Sequence, residues 1–275
     1  MEGQPQDEPQ PMPMQYEQQP PPVYMEQPKP ALPNLQGIQQ LIAGMNTSVL
    51  KEPRGFMKIL QFVFGISAFA TTTSFSTEFS FRIFCPASDK NNITVSESIT
   101  YPFQVDTIRP PLNICEGNVK ALLMRGDFSS DSRFFVAVGV LAFLYIIAAL
   151  VLYCLFYTMY ENNPLAPLAD FAGHVFFTIM WLAGSSAWAN SLTALRQATQ
   201  VEVIMKENPD ICLPAYPCGV LSEPNYTKLV ISIILGFLNL FLWGSNLWFL
   251  YKETQFFKAK TMNTDNAAPN SVPVP

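Results

Sequence analysis

Residues 134–157 read FFVAVGVLAFLYIIAALVLYCLFY and contain no charged side chain. An α-helix rises about 1.5 Å per residue, so this run can cross a hydrocarbon layer about 30 Å thick. Three further windows have a similar length and an apolar composition, at about residues 56–77, 168–189 and 229–251. Because a helix satisfies its own backbone hydrogen bonds in lipid, we expect all four windows to be transmembrane helices.

The composition of the whole chain agrees with a membrane protein. Of the 275 residues, 49% are hydrophobic and 13% are charged, whereas soluble domains carry about 25% charged residues. The formal net charge of −5 argues against a nucleic-acid-binding protein, because such a protein needs a basic surface. We therefore predict an all-α integral membrane protein built as a bundle of four transmembrane helices.

The two ends of the chain have a different character from the apolar windows. Residues 1–33 are rich in proline and glutamine and have few branched aliphatic side chains. Such a segment buries too little apolar surface to offset its chain entropy. We predict a disordered N-terminal tail over residues 1–47, a membrane domain over residues 48–255 and a short disordered C-terminal tail over residues 256–275.

The cysteines indicate which side of the membrane each loop faces. Four crossings place both tails on one side and two long loops, about residues 78–133 and 190–228, on the other. Disulfides persist in oxidising compartments, so cysteines in these loops predict lumenal loops and cytosolic tails. Four cysteines allow three pairings, and we favour pairing within each loop because each loop holds two. They are Cys85 and Cys115 in the first loop, and Cys212 and Cys218 in the second.

Glycosylation sequons lie in the same two loops. They begin at Asn92 and Asn225, and an N-x-Ser/Thr acceptor is typical of the surface of a secretory-pathway protein. We predict that both loops are lumenal and glycosylated, although Asn225 lies close to the fourth helix. A third sequon, at Asn46, lies on the tail side and should stay unmodified.

One pair of ionisable residues lies within the third helix. Asp170 and His174 are four residues apart, so they share a helix face and can form a hydrogen bond. Ionisable residues inside a membrane are functional candidates, but these two lie near the tail-side interface. We interpret them as a structural pair, with an ion or proton path as the alternative. Since His174 is the single histidine of the chain, the sequence favours a protein that is not an enzyme and holds no metal or other cofactor.

Small and polar residues in the third and fourth helices predict close helix packing. Ser185 and Ala189 have the spacing of a small-xxx-small motif, which lets helices approach closely. Asn239 and Asn246 are seven residues apart and lie on one stripe of the fourth helix, where their amides can bond across the bundle. Packing within the bundle is the first interpretation, and an oligomer interface is the second.

The N-terminal tail contains one short recognition motif. Pro21, Pro22 and Tyr24 belong to a PPVY segment that fits the PPxY ligands of WW domains, which bind polyproline II segments. A WW-domain protein, such as a ubiquitin ligase of that type, is therefore a hypothetical partner. A match by chance is the alternative, because the motif lies in a proline-rich tract.

Several motifs, in the same order along the chain, resemble the synaptophysin family, with its pantophysin-like and mitsugumin-like members. The similarity covers about residues 48–255. The matching segments are KEPRGF at 51–56, YPF at 101–103, GDFSS at 126–130, MWL at 180–182, SSAWA at 185–189, GFLNL at 236–240, NLWF at 246–249 and KET at 252–254.

This resemblance implies a specific fold and role. The family has a MARVEL-type bundle of four helices, cytosolic ends and a disulfide in each lumenal loop. Its members reside in secretory or synaptic vesicles, associate with the fusion protein synaptobrevin, self-associate and bind cholesterol. The alternatives are a channel or transporter that uses the polar residues of helices three and four, and a claudin-like junction protein. The latter is disfavoured because residues 78–133 lack tryptophan.

Overall fold

The computed structural model describes residues 53–86, 92–155 and 165–253. Within them, four helices are long and apolar enough to cross a membrane. These are α1 (Pro53–Thr73), α2 (Ser129–Leu155), α3 (Leu165–Ala198) and α5 (Thr227–Glu253), and a short helix, α4 (Val201–Glu207), follows α3. The predicted membrane fold of four helices is confirmed.

Three helix ends differ from the sequence prediction by four residues or more, and one of them is the start of α2, at Ser129 rather than at residue 134. Helix α1 ends at Thr73 rather than at residue 77, because a strand begins at Ser76. Helix α3 continues to Ala198, nine residues past the predicted end at 189. Residues 190–198 read NSLTALRQA, and their leucine, alanine, arginine and glutamine have good helix propensity although they are less apolar. Helix α3 therefore extends beyond the apolar window that it contains.

The four long helices pack around a common interior. Helix α1 contacts α2 and α5, and α3 contacts the same two neighbours. The buried stripe of α5 alternates in steps of three and four residues, as expected for a helix that packs against others along its length. This stripe consists of Leu229, Ser232, Gly236, Asn239, Trp243, Asn246 and Leu250.

The two long loops fold together into a β-structured layer that the sequence analysis did not predict. Strands β1 (Ser76–Ile83), β2 (Ile93–Thr100) and β5 (Cys218–Ser222) form an antiparallel sheet in the order β2-β1-β5. A smaller hairpin pairs β3 (Pro111–Asn113) with β4 (Val119–Ala121). Because β1 follows α1 and β5 precedes α5, the sheet joins the two loops at one end of the bundle.

Two disulfides hold this loop layer. Cys85 bonds to Cys115 and Cys212 bonds to Cys218, which confirms the predicted pairing within each loop. The first closes a segment with a sequence separation of 30 residues, and the second closes one of 6. The first disulfide therefore restrains most of the first loop, and the second restrains only the approach to β5.

An aromatic group joins the loop layer to the helices. Phe103 lies 5.2 Å from Trp188 of α3 and 5.8 Å from Phe75, measured between ring centroids. The indole Nε1 of Trp188 donates to Ser232 Oγ of α5 at 3.3 Å. Phe103 also has a φ of 70°, a left-handed conformation that is costly for a bulky residue and is held by its buried packing.

Candidate functional site

A polar cluster lies inside the bundle at the end opposite the sheet. The start of α1, the end of α2, the start of α3 and the end of α5 meet there, so each long helix supplies at least one side chain. The members are Lys58 of α1, Tyr145 and Tyr153 of α2, Asp170 and His174 of α3, and Asn246 of α5.

The carboxylate of Asp170 is the centre of the cluster. Its Oδ1 accepts a hydrogen bond from Lys58 Nζ at 3.1 Å and from the Tyr145 hydroxyl at 2.6 Å. The hydroxyl of Tyr153 donates to Oδ2. Both carboxylate oxygens are therefore satisfied by donors from α1 and α2, which lets a carboxylate remain buried in an apolar environment.

The two ring nitrogens of His174 have different kinds of partner. Its Nδ1 lies 2.9 Å from the Asp170 carbonyl oxygen, which can only accept. Its Nε2 lies 3.1 Å from Lys58 Nζ and 3.0 Å from Asn246 Nδ2, which are both donors. These contacts fit the tautomer of a neutral imidazole that carries its proton on Nδ1.

The cluster contains one basic and one acidic side chain that pair with each other. Lys58 contributes one positive charge and Asp170 one negative charge, and both side chains are buried at an Nζ–Oδ1 distance of 3.1 Å. An unpaired charge in this environment would cost several kcal/mol. The lysine also lies 5.1 Å from the ring centroid of Tyr145 and 5.5 Å from that of Tyr153, so aromatic faces stabilise it further.

Other buried polar atoms in the bundle make no hydrogen bond within the described residues. Three are acceptors, two are indole donors and one is a hydroxyl, and each lies on the inner face of a long helix. They are Gln61 Oε1, Asn239 Oδ1, Asn246 Oδ1, Trp181 Nε1, Trp243 Nε1 and Ser185 Oγ. The interior of the bundle is therefore polar well beyond the ionisable cluster.

Of the predicted packing residues, Ser185 lies where α3 approaches α5, and Asn239 Oδ1 lies near Gly65 of α1. A Cβ atom at Gly236 would come within 2.5 Å of Ser185 Oγ and 2.7 Å of the Phe135 ring, so the two helices approach closely there. Ala189 is half-buried. Asn239 donates to the Leu235 carbonyl of its own helix at 2.8 Å.

The sequon asparagines both lie in the loop layer and are exposed. Asn92 Oδ1 accepts a hydrogen bond from the Cys85 backbone N–H at 3.3 Å. Asn225 Oδ1 accepts from the Thr227 backbone N–H at 2.9 Å, as an N-cap residue does. Asn92 therefore lies on the sheet, whereas Asn225 lies directly at the start of a membrane-spanning helix.

Three groups outside the spans have shifted pKa values, and burial raises that of Glu97. The N–H of Ser129 donates to Asp127 at 2.9 Å and, with the Ser129 hydroxyl, lowers the pKa of that carboxyl. Burial raises the pKa of Tyr226 to about 12. The hydroxyl of Tyr226 lies 2.6 Å from Thr199 Oγ1, so it is a neutral hydrogen-bonding group at physiological pH.

Some sequence predictions receive no structural description, and some site residues were not predicted. Pro21, Pro22 and Tyr24 lie outside the described residues. Within residues 53–86, 92–155 and 165–253, no group of three or more His, Cys, Asp or Glu side chains can hold a metal ion. Spacing along the sequence does not predict Lys58, Tyr145 or Tyr153 as partners of Asp170. A lysine within an apolar window is the signal that could have indicated the ion pair.

Comparison with protein families gives one match that covers most of the chain. Residues 49–249 match the family model described as MARVEL, a membrane-associating domain. The matched segment includes all four long helices, the loop layer and the polar cluster.

Proposed function

Because the chain belongs to the family of MARVEL membrane-associating domains, we propose that it is a non-enzymatic organiser of secretory or synaptic vesicle membranes. In this proposal it associates within the bilayer with a synaptobrevin-type fusion protein, binds cholesterol and forms homo-oligomers during vesicle trafficking and exocytosis. The support for the vesicle role is the series of synaptophysin-like motifs in the first, third and fourth helices.

The observation that carries this proposal is the division between a polar interior and an apolar exterior. Many polar side chains of the bundle are buried in its interior, whereas large apolar side chains cover much of its outside. Phe241 and Ile234 of α5 are 68% and 60% exposed, and Leu141 and Leu144 of α2 are 56% and 54% exposed. Helices associate in lipid mainly through surface packing, so these outer faces are available to a partner helix or a sterol.

Co-purification from mild detergent tests the association. We expect synaptobrevin to be retained with the wild type. If α5 forms the contact, Phe241→Ala with Ile234→Ala should reduce retention several-fold, and the matched pair Leu141→Ala with Leu144→Ala should not. Reduction by the α2 pair alone would place the contact on α2. Repeated absence of any fusion protein from the wild-type preparation would contradict the proposal.

The proposed topology has cytosolic ends and lumenal loops, and it predicts where glycans are added. Removal of N-glycans should shift the electrophoretic mobility of the wild type but not that of Asn92→Gln combined with Asn225→Gln. We expect Asn92 to account for most of the shift, because Asn225 adjoins the membrane span. If Asn46→Gln abolished the shift instead, the tails would be lumenal and the topology would be inverted.

A channel or transporter is the second candidate, and the unpartnered polar atoms inside the bundle favour it. The ionisable cluster and the buried atoms of α3 and α5 would line its path. Proton or ion flux in reconstituted liposomes tests this function. Flux that disappears in Asp170→Asn or His174→Ala would support it, whereas equal flux in wild type and both variants would exclude this path.

A further inference from the structure

A polar cavity of about 390 Å³ lies between the end of α3, helix α4 and the segment that precedes α5. It contains one basic and two acidic side chains, together with a glutamine, a proline and a tyrosine. The lining residues are Arg196, Gln200, Glu202, Glu223, Pro224 and Tyr226. This cavity is at the opposite end of the bundle from the ionisable cluster and plays no part in the function proposed above.

The depth of the cavity follows from the length of α5. The membrane-spanning part of α5, Thr227–Lys252, has 26 residues, which corresponds to a rise of about 39 Å along a helix. A helix of this length extends beyond a hydrocarbon layer about 30 Å thick, so its ends reach the lipid headgroups. Tyr226 directly precedes Thr227 and therefore lies at the level of the loop-side headgroups.

The cavity presents charged side chains of both signs to a ligand. Arg196 is exposed and forms no ion pair within the described residues, so its guanidinium can bind an anion. Glu223 is fixed in place, because its two carboxylate oxygens accept from the Val201 backbone N–H at 3.3 and 3.2 Å. Glu202 is exposed on α4. A single ligand that has an anionic and a cationic group would match both signs.

We propose that this cavity binds the headgroup of phosphatidylethanolamine from the loop-side leaflet, with the phosphate at Arg196 and the ammonium at Glu202 and Glu223. Guanidinium groups bind phosphates through paired hydrogen bonds. The primary ammonium of ethanolamine donates hydrogen bonds to carboxylates. The trimethylammonium of choline cannot donate and is recognised by aromatic cages, whereas the described residues that line this cavity include one aromatic side chain, that of Tyr226.

The surface below the cavity suits the acyl chains of such a lipid. Val230 and Ile234 lie one and two helical turns below Tyr226 on the same face of α5. Both are exposed apolar side chains. A lipid whose headgroup occupies the cavity would therefore place its chains along an apolar strip that faces the bilayer.

Lipid retention by the full-length protein tests this proposal. The purified chain is titrated in detergent with phosphatidylethanolamine, phosphatidylcholine or phosphatidylglycerol of identical acyl chains, and bound lipid is counted by native mass spectrometry. We expect preferential retention of phosphatidylethanolamine. Arg196→Gln should weaken its binding about tenfold, the factor expected for one charge-assisted contact. Glu202→Gln should remove the preference over phosphatidylglycerol.

Matched controls separate this site from general surface charge and from misfolding. Arg133→Gln removes an exposed arginine at the loop-side start of α2, outside the cavity, and should leave retention unchanged. Equal retention of the three lipids by the wild type, or an equal loss in Arg133→Gln and Arg196→Gln, would overturn the proposal. Displacement of the lipid by free phosphoethanolamine at the same concentration would also overturn it, because the site would then serve a soluble ligand. A thermal transition is measured for each variant to show that it is folded. If Arg196→Gln does not fold, the ratio of bound phosphatidylethanolamine to bound phosphatidylglycerol in Glu202→Gln tests the site instead.

Discussion

The two ends of this molecule are held together by different interactions. At the tail side, four helices meet around the Lys58–Asp170 ion pair and its hydrogen-bonded neighbours. At the loop side, a three-stranded sheet, two disulfides and a packed aromatic group join the loops to the helices. Both ends are well packed, yet one uses charge and the other uses apolar burial and covalent bonds.

This difference follows from the solvent around each end. Inside the bilayer, lipid is as apolar as a leucine side chain, so burial of apolar surface does not drive helices together. Polar contacts between helices still stabilise the bundle there, because a polar group without a hydrogen bond in hydrocarbon is costly. Outside the bilayer, water restores the hydrophobic effect, and buried Phe79, Phe81 and Ile83 can form a core beneath the sheet.

Breaking the ion pair should have the largest effect at the tail side. Asp170→Leu leaves Lys58 buried without its counter-charge, and the expected loss of stability is about 3–5 kcal/mol. Lys58→Met should cost a similar amount, whereas the two changes together should cost less than their sum. The thermal midpoint of the purified protein in detergent, measured for both single variants and the double variant, checks this. Additive losses would mean that the two charges do not stabilise each other.

Removing the first disulfide should have the largest effect at the loop side. Cys85→Ser with Cys115→Ser releases the longer loop and should cost about 3–4 kcal/mol on a chain-entropy model. Cys212→Ser with Cys218→Ser opens a shorter ring and should cost about 2 kcal/mol. Protease resistance of the loops, followed in both double variants, provides the measurement. A greater sensitivity of the Cys212–Cys218 variant would contradict the assignment of the first disulfide as the main restraint.

Between the two ends, the close approach of α3 and α5 can be tested at a glycine. Gly236→Ala places a Cβ atom 2.5 Å from Ser185 Oγ, and overpacking of this kind costs about 1–3 kcal/mol. Gly244→Ala is the matched control on the same helix, since its nearest neighbour would be 3.9 Å away. The thermal midpoint of Gly236→Ala should therefore be lower than that of Gly244→Ala. Equal midpoints would show that the helices can separate at this point without cost.

The smallest expected effect concerns pH at the start of α2. The pKa of Asp127 is lowered in the folded protein, so its stabilising contribution is present above the ordinary carboxyl pKa of 3.8. The contribution is lost as the pH falls through the lower folded-state pKa. Asp127→Asn still caps the helix but does not titrate. The wild type should therefore lose slightly more stability than this variant on acidification, and identical pH profiles would contradict this role of Asp127.

The sequence predicted those features that depend on local composition. Apolar windows located the four helices, and the distribution of cysteines gave the pairing within each loop. The end of α1 was misplaced because the Ser/Thr-rich run up to residue 77 was assigned to the helix. Phe79, Phe81 and Ile83 alternate in that region, and this period of two is typical of a half-buried strand.

The composition of the polar cluster was harder to predict for a physical reason. Asp170 and His174 were paired from their spacing on a single helix. Lys58 is 112 residues from Asp170 in sequence, and Tyr145 and Tyr153 belong to yet another helix. Their contacts depend on how the helices are rotated against one another, and neither hydropathy nor spacing in a single sequence specifies that rotation.

The central claim is that the polar cluster holds the bundle together, while association with partners uses its apolar outside. The most direct test is the capture of synaptobrevin by the double variant Lys58→Met with Asp170→Leu, which removes both charges and leaves neither unpaired. This variant, once shown to be folded by its thermal transition, should capture as much synaptobrevin as the wild type. A folded double variant that no longer captures synaptobrevin, while the wild type does, would contradict the claim and assign the cluster a direct part in function.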